Sequence, residues 1–150
     1  MNRADLSEKL FREGYNCAQS VFGAFADVVG LSEKDAMKIS SPFGAGVGKL
    51  REVCGAVSGM TMVLGYMKGY DSPTDSEGKK KLYHTTQDLI NEFKDKMGGS
   101  YICRDLLHLK EGEDLPEPAV RDENYYKSRP CIKCCRTASE IMEKFLEESK

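Results

Sequence analysis

The chain has 150 residues, 22 Lys+Arg against 24 Asp+Glu, and a formal net charge of -2. With 40% hydrophobic and 31% charged residues it has the composition of a folded protein, long enough for one hydrophobic core without disulfide staples. So even a charge balance excludes a nucleic-acid partner held by a basic surface, because little excess charge is present to displace counterions.

Apolar residues recur at helical spacing in segment after segment, and no stretch alternates as a strand would. Leu6, Leu10 and Phe11 predict a helix over 5–12, stopped by Gly14. Asn16 is an N-cap for a second helix, from Cys17 to about Val29, with Cys17, Val21, Ala24, Phe25 and Val28 inward. Gly30 ends it. Ser32 caps a short third helix with Glu33 and Asp35 in its first turn. Pro42 then breaks the pattern, and a glycine-rich loop runs from Phe43 to Glu52.

A fourth helix, about Val53 to Lys68, is apolar on nearly every face, which predicts a helix surrounded by others. Its Gly55 and Gly59, beside Ala56, form a small-residue patch that lets a neighbouring helix approach closely. A polar linker with Pro73 leads to a fifth helix, about Glu77 to Met97, stopped by Gly98 and Gly99. Ser100 is placed to cap a sixth, carrying Ile102, Cys103, Leu106 and Leu107. The acid-rich segment from Glu111 to Ser128, with Pro116 and Pro118, reads as a long loop. The last helix, about Pro130 to Glu148, puts Cys131, Cys134, Cys135, Ala138, Ile141, Met142, Phe145 and Leu146 on one face. The expected fold is all-α: one domain over 1–150, a compact bundle of six or seven helices around the Cys54 helix.

The longest uncharged stretch of note, Val53 to Met67, has 15 residues, short of the roughly 20 needed to cross a bilayer. No membrane insertion is expected. The charged N-terminus, Met1 to Lys9, has no apolar signal-peptide region, which points to the cytoplasm.

Six cysteines are the informative excess: Cys17, Cys54, Cys103, Cys131, Cys134 and Cys135. Without an export signal they point to metal binding, redox chemistry or buried thiols. Cys17, Cys54, Cys103 and Cys131 each fall in the first turn of an expected helix. There, unpaired N–H groups and the positive end of the helix dipole favour a thiolate. Arg51, Arg104 and Arg129 stand beside three of them. One site built from several helix N-termini would suit thiolates or a thiolate-bound metal. Any single cysteine is more commonly a small buried hydrophobe. Cys134 and Cys135, inside the last helix, carry the weakest signal.

Cys131-Ile132-Lys133-Cys134 is a C-x-x-C with no strand before it, unlike thioredoxin. The two histidines, His84 and His108, are too few for a His-rich site. Gly44-Ala45-Gly46-Val47-Gly48-Lys49 fails both the P-loop and dinucleotide patterns, so no nucleotide is expected. Gly44, Gly46, Gly48 and Arg51 instead read as a tight loop bringing backbone N–H groups close to whatever Cys54 binds. No C-x-x-C-H occurs, so no covalent haem is expected.

Cys54-Gly55-Ala56-Val57-Ser58-Gly59 resembles the CGAxxG motif of a family of redox-active proteins named for the cysteine pattern C-GCAxxG-C-C. Gly14-Tyr15-Asn16-Cys17-Ala18-Gln19 resembles its first-cysteine segment, and Phe43 to Gly48 its glycine loop. The family name places Gly before Cys-Ala, whereas this chain reads Cys-Gly-Ala. The resemblance covers most of the chain. It implies a redox role and four defining cysteines, Cys17, Cys54, Cys103 and Cys131, with Cys134 or Cys135 as alternatives for the last.

Two functions follow. In the first, the four cysteines form one site for thiol/disulfide exchange, with Cys54 attacking and Cys131 or Cys17 resolving. In the second, the same four hold an iron–sulfur cluster or zinc, for electron transfer or a structural role. The partner would be a redox protein or a small-molecule acceptor, and self-association is open. The sequence alone does not make the chain an enzyme.

Overall fold

A computed structural model describes residues 1–116 and 120–150. Pro118 of the acidic loop lies outside the described residues. The elements in order are α1 (Arg3–Arg12), α2 (Cys17–Ala24), α3 (Glu33–Ser40), a 3-10 turn (Ser41–Phe43) and α4 (Gly44–Val47). Then come α5 (Gly55–Lys68), α6 (Ser76–Lys96), α7 (Cys103–Leu106), α8 (Glu123–Ser128) and α9 (Cys131–Glu148). Among the described residues the single extended pairing is an isolated antiparallel bridge between Val53 and Ile102. The all-α class is therefore as the periodicity implies.

Side chains cap most of the longer helices. Asn2 accepts from the Asp5 N–H, Ser32 from that of Asp35, and Asp75 from that of Gly78. At Asn16 the cap is reciprocal: Asn16 accepts from the Gln19 N–H, and the Gln19 side chain accepts from the Asn16 N–H. Where boundaries differ from expectation, a local cause is visible. α1 begins at Arg3 because Asn2 caps it. α2 stops at Ala24 rather than near Val29, because the chain tightens there into three-residue bonds, Phe25 N–H to Phe22 O and Ala26 N–H to Gly23 O. α7 is one turn, and its N-cap is Ile102 rather than Ser100. The Ser100 hydroxyl accepts from the Ile102 N–H and donates to Asp105. The segment expected as loop contains α8, capped by Asp122.

The core is one contiguous cluster, with Val57, Met60, Val63 and Leu64 of α5 at its centre. Val21 and Phe25 reach it from α2 and the turn after it, Phe93 from α6, and Ile141 and Met142 from α9. The expected burial of α5 on every face holds only for its first part. Tyr66 and Met67 emerge into solvent at its end.

Gly59 explains how closely α2 and α5 approach. A Cβ there would sit 3.0 Å from the Ala18 carbonyl oxygen and 3.0 Å from Val21 Cβ. Both belong to a packed helix that cannot yield locally. Gly59→Ala is expected to destabilise the protein by about 1–3 kcal/mol through overpacking, despite Ala's better helix propensity. Gly65 of the same helix has nothing within 4 Å of its would-be Cβ. Gly65→Ala should instead stabilise by about 0.5–1 kcal/mol. Urea unfolding of the two variants checks the opposite signs.

Candidate functional site

Four chain segments bring the cysteines to one pole of the bundle. Cys17 is the first residue of α2, Cys54 the N-cap of α5, Cys103 the first of α7 and Cys131 the first of α9. The Val53–Ile102 bridge holds two of these together. Cys54 N–H donates to Tyr101 O at 2.9 Å, and Cys103 N–H to Glu52 O at 2.6 Å. Cys134 and Cys135 follow Cys131 on the inner face of α9 and are buried. The pole therefore holds six thiols, where sequence spacing selected four. All six are unbonded.

The thiols fall into an outer and an inner group. Cys17 lies within hydrogen-bonding reach of both Cys131 and Cys135. Cys54 pairs with Cys134, deeper in the bundle. Their acidities differ for stated reasons. The Cys134 thiol donates to Cys54 and, with the Ala56 and Val57 N–H groups, holds Cys54 below its ordinary value against the cost of burial. Cys134 is raised by that same bond and by burial. Cys131 is raised by its bond to Cys17 and by burial, with Arg129 pulling the other way. At Cys17 the Cys131 bond favours the thiolate, but Cys135, burial and the nearby thiolate charges push it up overall. At Cys135 the Cys17 bond favours the thiolate, yet burial and the Cys54 and Cys131 charges raise it. Among these six, Cys54 is the one thiol with a lowered pKa.

Cys103 stands apart, against Arg51. Burial raises its pKa, and the Arg51 guanidinium, 3.7 Å from its sulfur, opposes that. Arg51 is 5% exposed and is anchored by Asp114, which accepts from Nε at 2.8 Å. Its placement depends on an unusual backbone. Ala45, Gly46, Val47, Gly48 and Lys49 all have φ between 53° and 69°, so α4 and the residues after it wind left-handed. Arg51 itself has φ 61°. Left-handed backbone costs an L-residue about 1–2 kcal/mol, so four non-glycine residues here store strain. The turn closes on itself: Gly48 N–H reaches Pro42 O at 2.8 Å, and Glu52 N–H reaches Gly46 O at 2.8 Å. At Gly46 a Cβ would fall 2.6 Å from Arg51 Cα. Gly46 thus serves the packing of the turn on Arg51.

A cavity of about 370 Å³ opens above the outer thiols. Cys17 and Cys131 line it together with Gly44 and Gly48 of the turn. Gly46 and Cys54 do not. Lys49, Arg51, Arg121 and Arg129 line it too, and no acidic side chain among the described residues does. Arg121 donates to the Phe11 carbonyl in the last turn of α1 and to the Tyr15 carbonyl in the link before α2, at 2.7 and 3.1 Å. Arg129 stacks on Tyr125, 4.6 Å from the ring centroid. Sequence reading missed Arg121 and Tyr125, which lie in the stretch expected as loop. It placed Arg129 beside Cys131 without the cavity.

A shared metal would need the four first-turn sulfurs each about 2.3 Å from one centre. Among the described residues no group of three or more His, Cys, Asp or Glu side chains is placed to hold a metal ion. Cys103 is turned toward Arg51, and Cys54 toward Cys134. As arranged, these side chains do not fit a shared metal centre.

No helix of the described residues is long and apolar enough to cross a membrane. No curated protein and no solved structure matches the chain. A family model does match residues 15–145, a span from the residue before the Asn16 cap to the inner face of α9, taking in all six thiols. The chain belongs to the family described as "Putative redox-active protein (C_GCAxxG_C_C)".

Proposed function

We propose that the protein is a dithiol redox protein in which Cys17 and Cys131 cycle between two thiols and one disulfide. The observation that carries this reading is their adjacency in the wall of a single cavity. Burial and thiol neighbours raise both cysteines, and within the pair the Cys131 thiol donates toward Cys17, which makes Cys17 the attacking sulfur in its minor thiolate form. Cys17 attacks one sulfur of an acceptor disulfide, and the acceptor's S–S bond breaks with loss of a thiolate. Cys131 then gives up its proton and attacks the Cys17 sulfur. The second acceptor thiolate leaves, and two electrons have passed to the acceptor.

Cys54 has a different place in this scheme from the attacking role its glycine loop suggests. It is 5% exposed and does not line the cavity. With Cys134 it forms a second dithiol beneath the first, which an acceptor in the cavity does not reach. Cys103, held by Arg51, takes no part in the exchange.

The test is a thiol count on anaerobically purified, reduced protein before and after one equivalent of a mild thiol oxidant, with iron and zinc measured on the same sample. Free thiols should fall from the six in the sequence by two, return with reductant, and map to a Cys17–Cys131 peptide. Cys17→Ser and Cys131→Ser should each abolish that step. A brown sample with matching iron, or one stoichiometric zinc, would replace this reading with metal binding by the cysteines.

A further inference from the structure

We infer that the acceptor of the Cys17–Cys131 pair is a small disulfide carrying negative charge, a carboxylate- or phosphate-bearing molecule seated among Lys49, Arg51, Arg121 and Arg129. This inference rests on the dithiol reading above and adds the chemical class of the substrate.

The first argument is local charge. The chain as a whole carries a net charge of -2, yet the cavity wall presents four basic side chains and, among the described residues, no acid. Asp114 offsets part of this, since it pairs with Arg51 at 2.8 Å and Lys49 at 3.9 Å from outside the lining. Arg121 spends its donors on backbone carbonyls, which leave its charge intact.

Arg129 is the second argument. It has no carboxylate partner and no hydrogen-bond acceptor among the described residues, and its guanidinium carbon lies over the Tyr125 ring, 4.6 Å from the centroid. A stacked guanidinium is oriented while its edge N–H groups stay available, and that fork matches a carboxylate or phosphate in two-point contact. It also stands two residues before Cys131, close enough for its charge to favour the Cys131 thiolate. An anionic group bound there would bring an attached sulfur beside the thiol pair.

Size is the third. About 370 Å³ is the scale of a small-molecule site. A protein disulfide would need to present its bond on a thin, extended loop.

The reaction balances with that substrate and no other component. R–S–S–R plus the two protein thiols gives two R–SH and the Cys17–Cys131 disulfide, in a single turnover per reduced protein.

The test compares three small disulfides of similar size: dithiodiglycolate, bis(2-hydroxyethyl) disulfide and cystamine, with two negative, no and two positive charges. Their rates of oxidising the reduced protein are each normalised to the rate with free 2-mercaptoethanol, which removes intrinsic reactivity. The dicarboxylate should be preferred over the diamine by about tenfold or more at low salt, and the preference should shrink as ionic strength rises. Arg129→Gln should lower that ratio several-fold, and Arg129→Lys should restore only part of it. Equal normalised rates for all three probes, or a ratio untouched by Arg129→Gln, would overturn the assignment of an anionic substrate while leaving the dithiol intact. If none of the three forms a Cys17–Cys131 disulfide in protein that thiol titration shows to be reduced, both the dithiol reading and this inference fall.

Discussion

Raising the pH of the fully reduced protein from about 8 to about 10 is expected to destabilise it steeply. Unfolded cysteines ionise near their ordinary value of about 8.5. In the fold, Cys17, Cys131, Cys134 and Cys135 are all raised, so the native state keeps protons that the unfolded chain releases. Stability from such groups is full below the unfolded value and is lost as pH climbs toward the folded one. Each contributes a slope of up to about 1.4 kcal/mol per pH unit. Cys103 is also raised, but it is partly open to solvent and contributes less. Cys54, being lowered, acts the other way: its stabilisation is present above the unfolded value and is lost as pH falls through its folded one. The raised thiols outnumber it, so the net slope is downward. Urea unfolding in reductant across this range reads the slope directly. Cys131→Ala removes one raised thiol while Cys135 and burial keep Cys17 raised, and should make the decline shallower. A flat stability profile between about 8.5 and 10 would mean that the fold does not hold these protons.

Phe93→Ala is expected to cost about 3–5 kcal/mol, the range for emptying a large core site. α6 has 21 residues, yet only Leu89 and Phe93 of it are buried. Phe93 is 0% exposed and is the larger of the two. The long helix is thus anchored chiefly by these two, with Leu82, Ile90 and Met97 packed beside them only partly buried, and with ion pairs such as Lys144–Glu92 at 4.0 Å contributing little. The loss should be local in its first effect. Hydrogen exchange should show α6 amides opening well below the global unfolding free energy, while those of α2, α5 and α9 keep their protection. Uniform loss of protection across all four helices would show that α6 is integral to the core.

Much of the bundle was legible because its signals are local. Asn16 and Ser32 are followed by helix starts at the next residue, and the apolar face of the last helix runs along the buried side of α9. Cys17, Cys54, Cys103 and Cys131 each stand at a helix start, a local signal, and the packing of the bundle brings these four starts to one pole. What was not legible depends on partners far apart in sequence. Cys134 and Cys135 looked like interior packing until α9 was docked against α2 and α5, which puts Cys135 beside Cys17 and Cys134 beside Cys54. The one available clue was their spacing from Cys131, which places all three on adjoining turns of one face. Arg121 belongs to the cavity through bonds to Phe11 and Tyr15 across more than 100 residues of chain, and nothing in its own neighbourhood announces that. α8 was hidden because a run of charged and proline-bearing sequence masks the Asp122 cap. The winding of the turn from Ala45 to Lys49 was hidden most deeply. Its glycines suggest a bend, but Ala, Val and Lys give no hint of positive φ, and tertiary packing overrides their preference.

That turn has a chiral consequence. Over five residues the backbone follows the mirror image of the path that L-amino acids prefer. The segment is therefore a place where D-amino acids are the natural fit. In a chain assembled by chemical ligation, D-alanine at 45 or D-lysine at 49 would keep its side-chain type and relax about 1–2 kcal/mol of strain at that residue. Proteases that read L-residues in extended form would find no substrate in such a chain at this point. The handedness that burdens the biosynthetic protein would become a source of durability in a synthetic one.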